Sequence, residues 1–262
     1  MAEPRDGIRA KIERADHHIV DLELERQKFL KSNPYSLSAK YNPDIRKTEY
    51  RAIICRKIWR TIPIIAGDAI HNLRSALDHL AYQLVSAAKG TLTNETGFPI
   101  CGEKSPEEYE TFLLRKMDGA PEEVKKHMRA LHRDTGKHDL LLALHQLDII
   151  DKHRLLPAVS HVVNGWGFDL DTAEMKAIFP GFATRTFTVP IPITESMLGF
   201  ELGDIVATIP GNTESQEDIY LTFEIAFGEP EVIKGRPLVK TLREIRDLIN
   251  NLGRIFIPFL GR

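Results

Sequence analysis

The stretch "GDAIHNLRSALDHLAYQL", residues 67–84, decides how the rest of the chain is read. Ala69, Leu73, Ala76, Leu77, Leu80 and Leu84, with Ile65 just upstream, recur at helical spacing and make one broad apolar side. The opposite side is charged and titratable. Asp68, His71, Ser75 and Asp78 follow at intervals of three, four and three, so they share a face; Arg74 flanks it and His79 stands at its other edge. Groups of this kind are costly to bury unless they are paired or used. The helix therefore carries either a solvated stripe or a site.

A second segment, "LLALHQLDIIDKHRLL" (141–156), has the same double character. Leu140, Leu144, Leu147 and Ile150 form an apolar side. His145 and Asp148 are three apart, Lys152 is four beyond Asp148, and Asp151 and Arg154 flank them. If the two helices pack antiparallel, their polar stripes meet. Arg74–Asp78 and Asp148–Lys152 read as i,i+4 ion pairs, which by themselves often only solvate a helix face. The density of His and charge in "HNLRSALDH" and "DKHR" makes a site an equal reading.

Outward from these helices, residues 7–31 show Ile8, Ile12, Ala15, Ile19, Leu22 and Phe29 at helical spacing. "YSLSAKY" and "TEYRAIICRKI" flank the turn signal "NPD", which predicts a hairpin over 35–60. Pro63 is read as opening the helix of the quoted stretch. "SPEEYETFLLRKM" begins with an N-cap serine, proline at N1 and acids in the first turn. "APEEVKKHMRAL" is a short helix, and the helix of the second segment stops near Pro157. Beyond it, "TRTFTVPIPI", "ELGDIVATIP" and "DIYLTFEIAFG" read as strands, "VNGWGFDL" as a tight turn around Trp166, and residues 236–260 as an amphipathic terminal helix. Helices and strands are segregated, which argues α+β rather than alternating α/β. The expected architecture is a helical bundle core with an antiparallel sheet from the C-terminal half and the early hairpin. Residues 1–262 are expected to form one compact domain, with 1–160 mainly helical and 161–262 strand-rich.

The chain of 262 residues is 42% hydrophobic and 27% charged, the usage of a soluble globular protein. Thirty-five basic against 37 acidic residues, net charge −2, exclude a strong global field for nucleic acid but not a local basic patch. Cys55 and Cys101 lie in no CxxC or Cys/His cluster; free cysteines suit a cytoplasmic protein. The opening residues lack the apolar core of a signal peptide, and no run is long and apolar enough to predict a membrane span. Phosphate-binding Gly-x-x-x-x-Gly-Lys-Ser/Thr and dinucleotide-binding Gly-x-Gly-x-x-Gly loops are missing. With no neighbouring histidine, the cysteines give thiol catalysis little weight.

Arg74, four intervening residues and His79, within "NLRSALDHL", resemble the Arg-x4-6-His signature of HEPN domains, helical modules of prokaryotic toxins and defence ribonucleases; Ser75 stands where that family usually has Asn, Asp or His. The paired patterns GDxxHNLRSALDHL and LHxLxxIDKHRLL also resemble a group of uncharacterised bacterial and phage proteins. The HEPN resemblance implies a metal-independent endoribonuclease in a defence or toxin-like context, without a cofactor. In that reading Arg74 clamps the phosphoryl oxygens and His79 transfers the proton. Asn72 or Asp78 orients the histidine, and Lys152, His153 and Arg154 contact phosphate. The implied partners are RNA, a second copy in a homodimer, and an antitoxin or regulatory protein.

Two other readings use the same residues. Asp68-x-x-His71 and His145-x-x-Asp148 are carboxylate–imidazole pairs at i,i+3, the spacing with which helical bundles hold a divalent transition metal. Alternatively, the polar helices form a structural network or dimer interface in a non-enzymatic binding protein or phage accessory factor, which the missing basic footprint favours.

Overall fold

A computed structural model describes residues 4–154, 159–169, 186–190, 201–210 and 219–260. Among them are six α-helices: α1 (Pro4–Lys31), α2 (Thr61–Ala87), α3 (Pro106–Lys116), α4 (Glu122–Arg133), α5 (Thr135–Arg154) and α6 (Leu238–Phe256). Six strands accompany them: β1 (Tyr35–Asn42), β2 (Lys47–Cys55), β3 (Val159–Asp169), β4 (Thr186–Pro190), β5 (Ile205–Pro210) and β6 (Ile219–Phe227). The architecture is α+β, as the segregation of elements predicts.

The quoted helix is the centre of the core. On α2, apolar residues from Ile62 through Leu73 and Leu77 to Val85 are buried. They pack against α1, α5 and α6. Each leucine or isoleucine taken out of water in this way stabilises the fold by about 1.5–3 kcal/mol. α1 runs antiparallel to α2: Lys11 Nζ donates to Asn72 Oδ1 (3.5 Å) near one end, and Thr61 Oγ1 donates to Glu25 Oε2 (3.2 Å) near the other. Ile8, Ala15, Ile19, Leu22 and Phe29 fill the interface, the residues picked out by their spacing. α2 starts two residues before Pro63, which sits within the first turn, where its missing N–H costs nothing.

Local chemistry sets other element ends. Ser105 Oγ accepts from the Glu108 amide (3.2 Å), and the Glu108 side chain accepts in return from the Ser105 amide (2.8 Å). This reciprocal capping box, with Pro106 as first helical residue, starts α3. The backbones of Gly90, just after α2, and Gly119, in the loop between α3 and α4, touch. A Cβ on Gly119 would collide with the Gly90 Cα, and Gly119 has φ +76°. Two glycines are needed for that approach.

The strands form two three-stranded antiparallel sheets, β1-β2-β5 and β4-β3-β6, rather than one C-terminal sheet. The early hairpin recruits β5, with Lys47 opposite Pro210 and Tyr50 opposite Ala207. The expected tight turn at "VNGWGFDL" is instead the interior of β3. Its register against β6 shifts between Val163 and Gly165, so the glycines accommodate an irregularity within a continuous strand and not a reversal. Of "TRTFTVPIPI" the stretch 186–190 is strand; 184–185 and 191–193, like the helix stop near Pro157, lie outside the described residues. No helix among the described residues is long and apolar enough to cross a membrane.

Loss of one cap and loss of one glycine contact are separable. Ser105→Ala is expected to cost about 1 kcal/mol in chemical denaturation. Gly119→Ala is expected to cost more, about 2 kcal/mol, because it adds backbone strain to a backbone collision.

Candidate functional site

α2 and α5 pack antiparallel, and their polar stripes do meet. Along the seam Gly67 lies against Asp151, and His71 then meets Asp148. Farther along, Arg74 and His145 are close enough to influence each other electrostatically. The match arises because residues three and four apart line up on each helix, so antiparallel packing registers one polar row against the other.

The centre of the seam is Asp148, on a side chain only 4% exposed. Its Oδ1 lies 3.2 Å from His71 Nδ1, and its Oδ2 accepts from Lys152 Nζ at 2.5 Å. Both partner side chains are more than half exposed. A buried carboxylate thus holds two cationic or protonatable groups that face water. With the proton on Nδ1, His71 donates to Asp148 and keeps Nε2 as an acceptor on a half-exposed ring.

Arg74 is used differently. Its side chain is 12% exposed and its Nη2 lies 3.1 Å from Asp78 Oδ1. The same Oδ1 accepts from the Phe98 amide (3.1 Å), while Arg74 Nη2 donates to the Phe98 carbonyl (3.4 Å). Arg74 and Asp78 together clasp the backbone of one residue, Phe98, in the loop before α3, and its ring is buried. Burial pushes the Arg74 guanidinium below its ordinary range, against the opposing pull of Asp78 and Asp148. Arg74 Nη1 and His145 Nδ1 are buried and without a hydrogen-bond partner among the described residues. Burial first, and the Arg74 charge second, push the His145 imidazole down.

His79 faces the other way. A Cβ on Gly7 would stand 3.1 Å from His79 Nδ1, so the imidazole lies against α1. Asn72 also turns to α1 through Lys11. The residues of the Arg-x4-His pattern therefore occupy opposite edges of the polar arc, Arg74 with α5 and the Phe98 loop, His79 and Asn72 with α1. Of the expected phosphate contacts, Lys152 is tied to Asp148 and Arg154 Nη1 donates to Glu229 Oε1 (2.9 Å); His153 is exposed.

The four-ligand metal arrangement of Asp68, His71, His145 and Asp148 is not formed. Only His71 and Asp148 meet, the second oxygen of Asp148 is taken by an ammonium, and His145 lies toward Arg74. Among the described residues no three or more His, Cys, Asp or Glu are grouped to hold a metal ion.

One participant is weightier than the sequence reading made it. The Asp151 carboxylate sits over Gly67, where an added Cβ would meet its Oδ1 at 2.5 Å. Burial, then Asp148 and Asp68, raise its proton affinity. The available signal was a glycine inside an otherwise strong helix; the gap it leaves is filled by the neighbouring helix.

Two predictions follow from these contacts. Asp78→Leu should destabilise the fold by about 2 kcal/mol, since it strands a buried guanidinium and the Phe98 amide; Arg74→Met with Asp78→Leu should recover part of the loss, measured by urea denaturation. Because His145 binds its proton less readily folded than unfolded, stability should fall as pH drops below about 6.5, the ordinary histidine value. His18 and His132 shift in the same direction, so the stability difference between wild type and His145→Gln, titrated from pH 8 to 5, isolates this contribution.

No protein-family model, curated protein or solved structure matches the chain.

Proposed function

We propose that the chain is an acid–base catalyst that cleaves RNA phosphodiester bonds without a metal, with His71 as the proton-transfer group. The single observation that carries this reading is the buried Asp148 carboxylate against His71 Nδ1, which orients a water-facing imidazole. An imidazole so held keeps Nε2 free to accept a proton. In the reaction His71 takes the proton of a ribose 2′-hydroxyl as its oxygen bonds to phosphorus. The bond from phosphorus to the 5′-oxygen breaks, leaving a 2′,3′-cyclic phosphate. Asp151, whose carboxyl holds its proton more tightly than usual, returns a proton to the departing 5′-oxygen. Lys152, exposed beside Asp148, supplies positive charge to the phosphoryl oxygens. Arg74 and Asp78 hold the scaffold. The resemblance to HEPN domains adds RNA as substrate, a homodimer, a cytoplasmic defence or toxin-like setting, and an antitoxin or regulatory partner.

A second reading has its own support. Arg74 and Asp78 are tied to the backbone of Phe98 and Lys152 to Asp148, as expected of a structural network in a non-enzymatic binding or phage accessory protein.

Single-turnover cleavage of a mixed-sequence RNA with chelator present separates these readings. His71→Gln should lower the rate at least about 100-fold, and His79→Ala should leave it unchanged. Loss in His79→Ala with retention in His71→Gln would return catalysis to the Arg-x4-His pair. A wild-type chain that cuts no RNA would leave the structural network.

A further inference from the structure

A second feature is independent of the α2–α5 seam. Between the first half of α1 and the C-terminal end of α6 runs a groove of about 660 Å³. That volume lies within the span of small-molecule pockets, roughly 300–1,000 Å³. Its apolar lining comes from Ile8 and Ile12 of α1, Leu80 of α2, and Ile257 and Leu260 just beyond α6. Charged groups rim it, and most are answered within the fold. Arg9 pairs with Glu13 at 2.7 Å, and Arg246 pairs with Asp16 and with Asp247. Arg254 differs: it is exposed at the groove, and no carboxylate among the described residues pairs with it. Asn250, one turn earlier on α6, adds an amide to the same wall.

Gly253 points the same way. It lies inside α6 and lines the groove, and a Cβ built there meets nothing within 4 Å. A helix-interior glycine costs about 1 kcal/mol relative to alanine. Packing gives no reason for one here, because nothing approaches it. What the missing side chain does is leave the groove open beside the Arg254 guanidinium.

We propose that this groove is a binding site for a small amphipathic anion. The ligand lays an apolar chain or ring on Ile8, Ile12 and Leu80 and places one carboxylate or comparable anionic group on Arg254, with Asn250 as a further donor. A guanidinium presents two parallel N–H groups to a carboxylate, so the charged end is fixed in orientation while the apolar body tolerates variation.

Calorimetric titration of the full chain with decanoate, below its micelle concentration, tests the site. Wild type should bind decanoate saturably and bind the neutral 1-decanol at least tenfold more weakly. Arg254→Gln should weaken decanoate binding at least tenfold. Gly253→Phe should abolish it while the thermal unfolding midpoint stays level or rises, because the new ring occupies open groove. No binding by wild type, equal affinity for 1-decanol, or undiminished decanoate binding by folded Gly253→Phe would each overturn the proposal.

Discussion

A guanidinium inside a helical core must be answered, and the rest of the arrangement follows from how Arg74 is answered. α2 is packed by α1, α5 and α6, so its apolar side has no freedom to rotate outward. The polar arc must then lie in the clefts beside the neighbouring helices. Arg74 is the most enclosed cation of that arc. Asp78 and the Phe98 carbonyl satisfy part of it, and in doing so they pin the loop that leads into α3. Burial and the charge of Arg74 beside it push the His145 imidazole down, against the pull of Asp148 and Asp78.

With that enclosed end fixed, the other end of the seam is free to be wet. Asp148 is the hinge between the two regimes: itself buried, it reaches out to His71 and Lys152 on the surface. The same helix pair thus grades from the enclosed Arg74 and part-buried His145 and Asp151 to the water-facing His71 and Lys152. Such a gradient of solvation is what moves neighbouring carboxyls apart in proton affinity. Gly67 lets Asp151 approach α2 closely, near four other titratable groups, and burial, then Asp148 and Asp68, push its carboxyl up.

Much of this was legible because its causes are local. The 3.6-residue period marked α1, α2 and α5, and the terminal amphipathic stretch marked α6. Ser105, Pro106 and Glu108 announced the start of α3, and Asn-Pro-Asp the hairpin turn. The two i,i+4 ion pairs are where spacing puts them. What failed to show has tertiary causes. The union of β2 with β5 depends on residues far apart in sequence, and Gly165 and Gly167 look alike in a turn and in an irregular strand. The Arg-x4-His pattern misleads about grouping for a geometric reason: five residues of α-helix turn through about 140° beyond a full revolution, which sends Arg74 and His79 to different neighbours. Gly67 carries no sign of Asp151 until a second helix is laid over it.

The β2–β5 pairing has a consequence for the chain while it is being made. The hairpin can close as soon as Cys55 has emerged, but the outer edge of β2 stays without its partner until synthesis has passed Pro210. Throughout that interval its free amides and carbonyls, beside the apolar Ile53 and Ile54, present a template for any other nascent strand. The helices between can assemble early from contacts near in sequence, whereas this sheet must wait for a closure between segments far apart in the chain. Newborn chains are therefore most vulnerable to mutual association at a surface that the finished protein has covered.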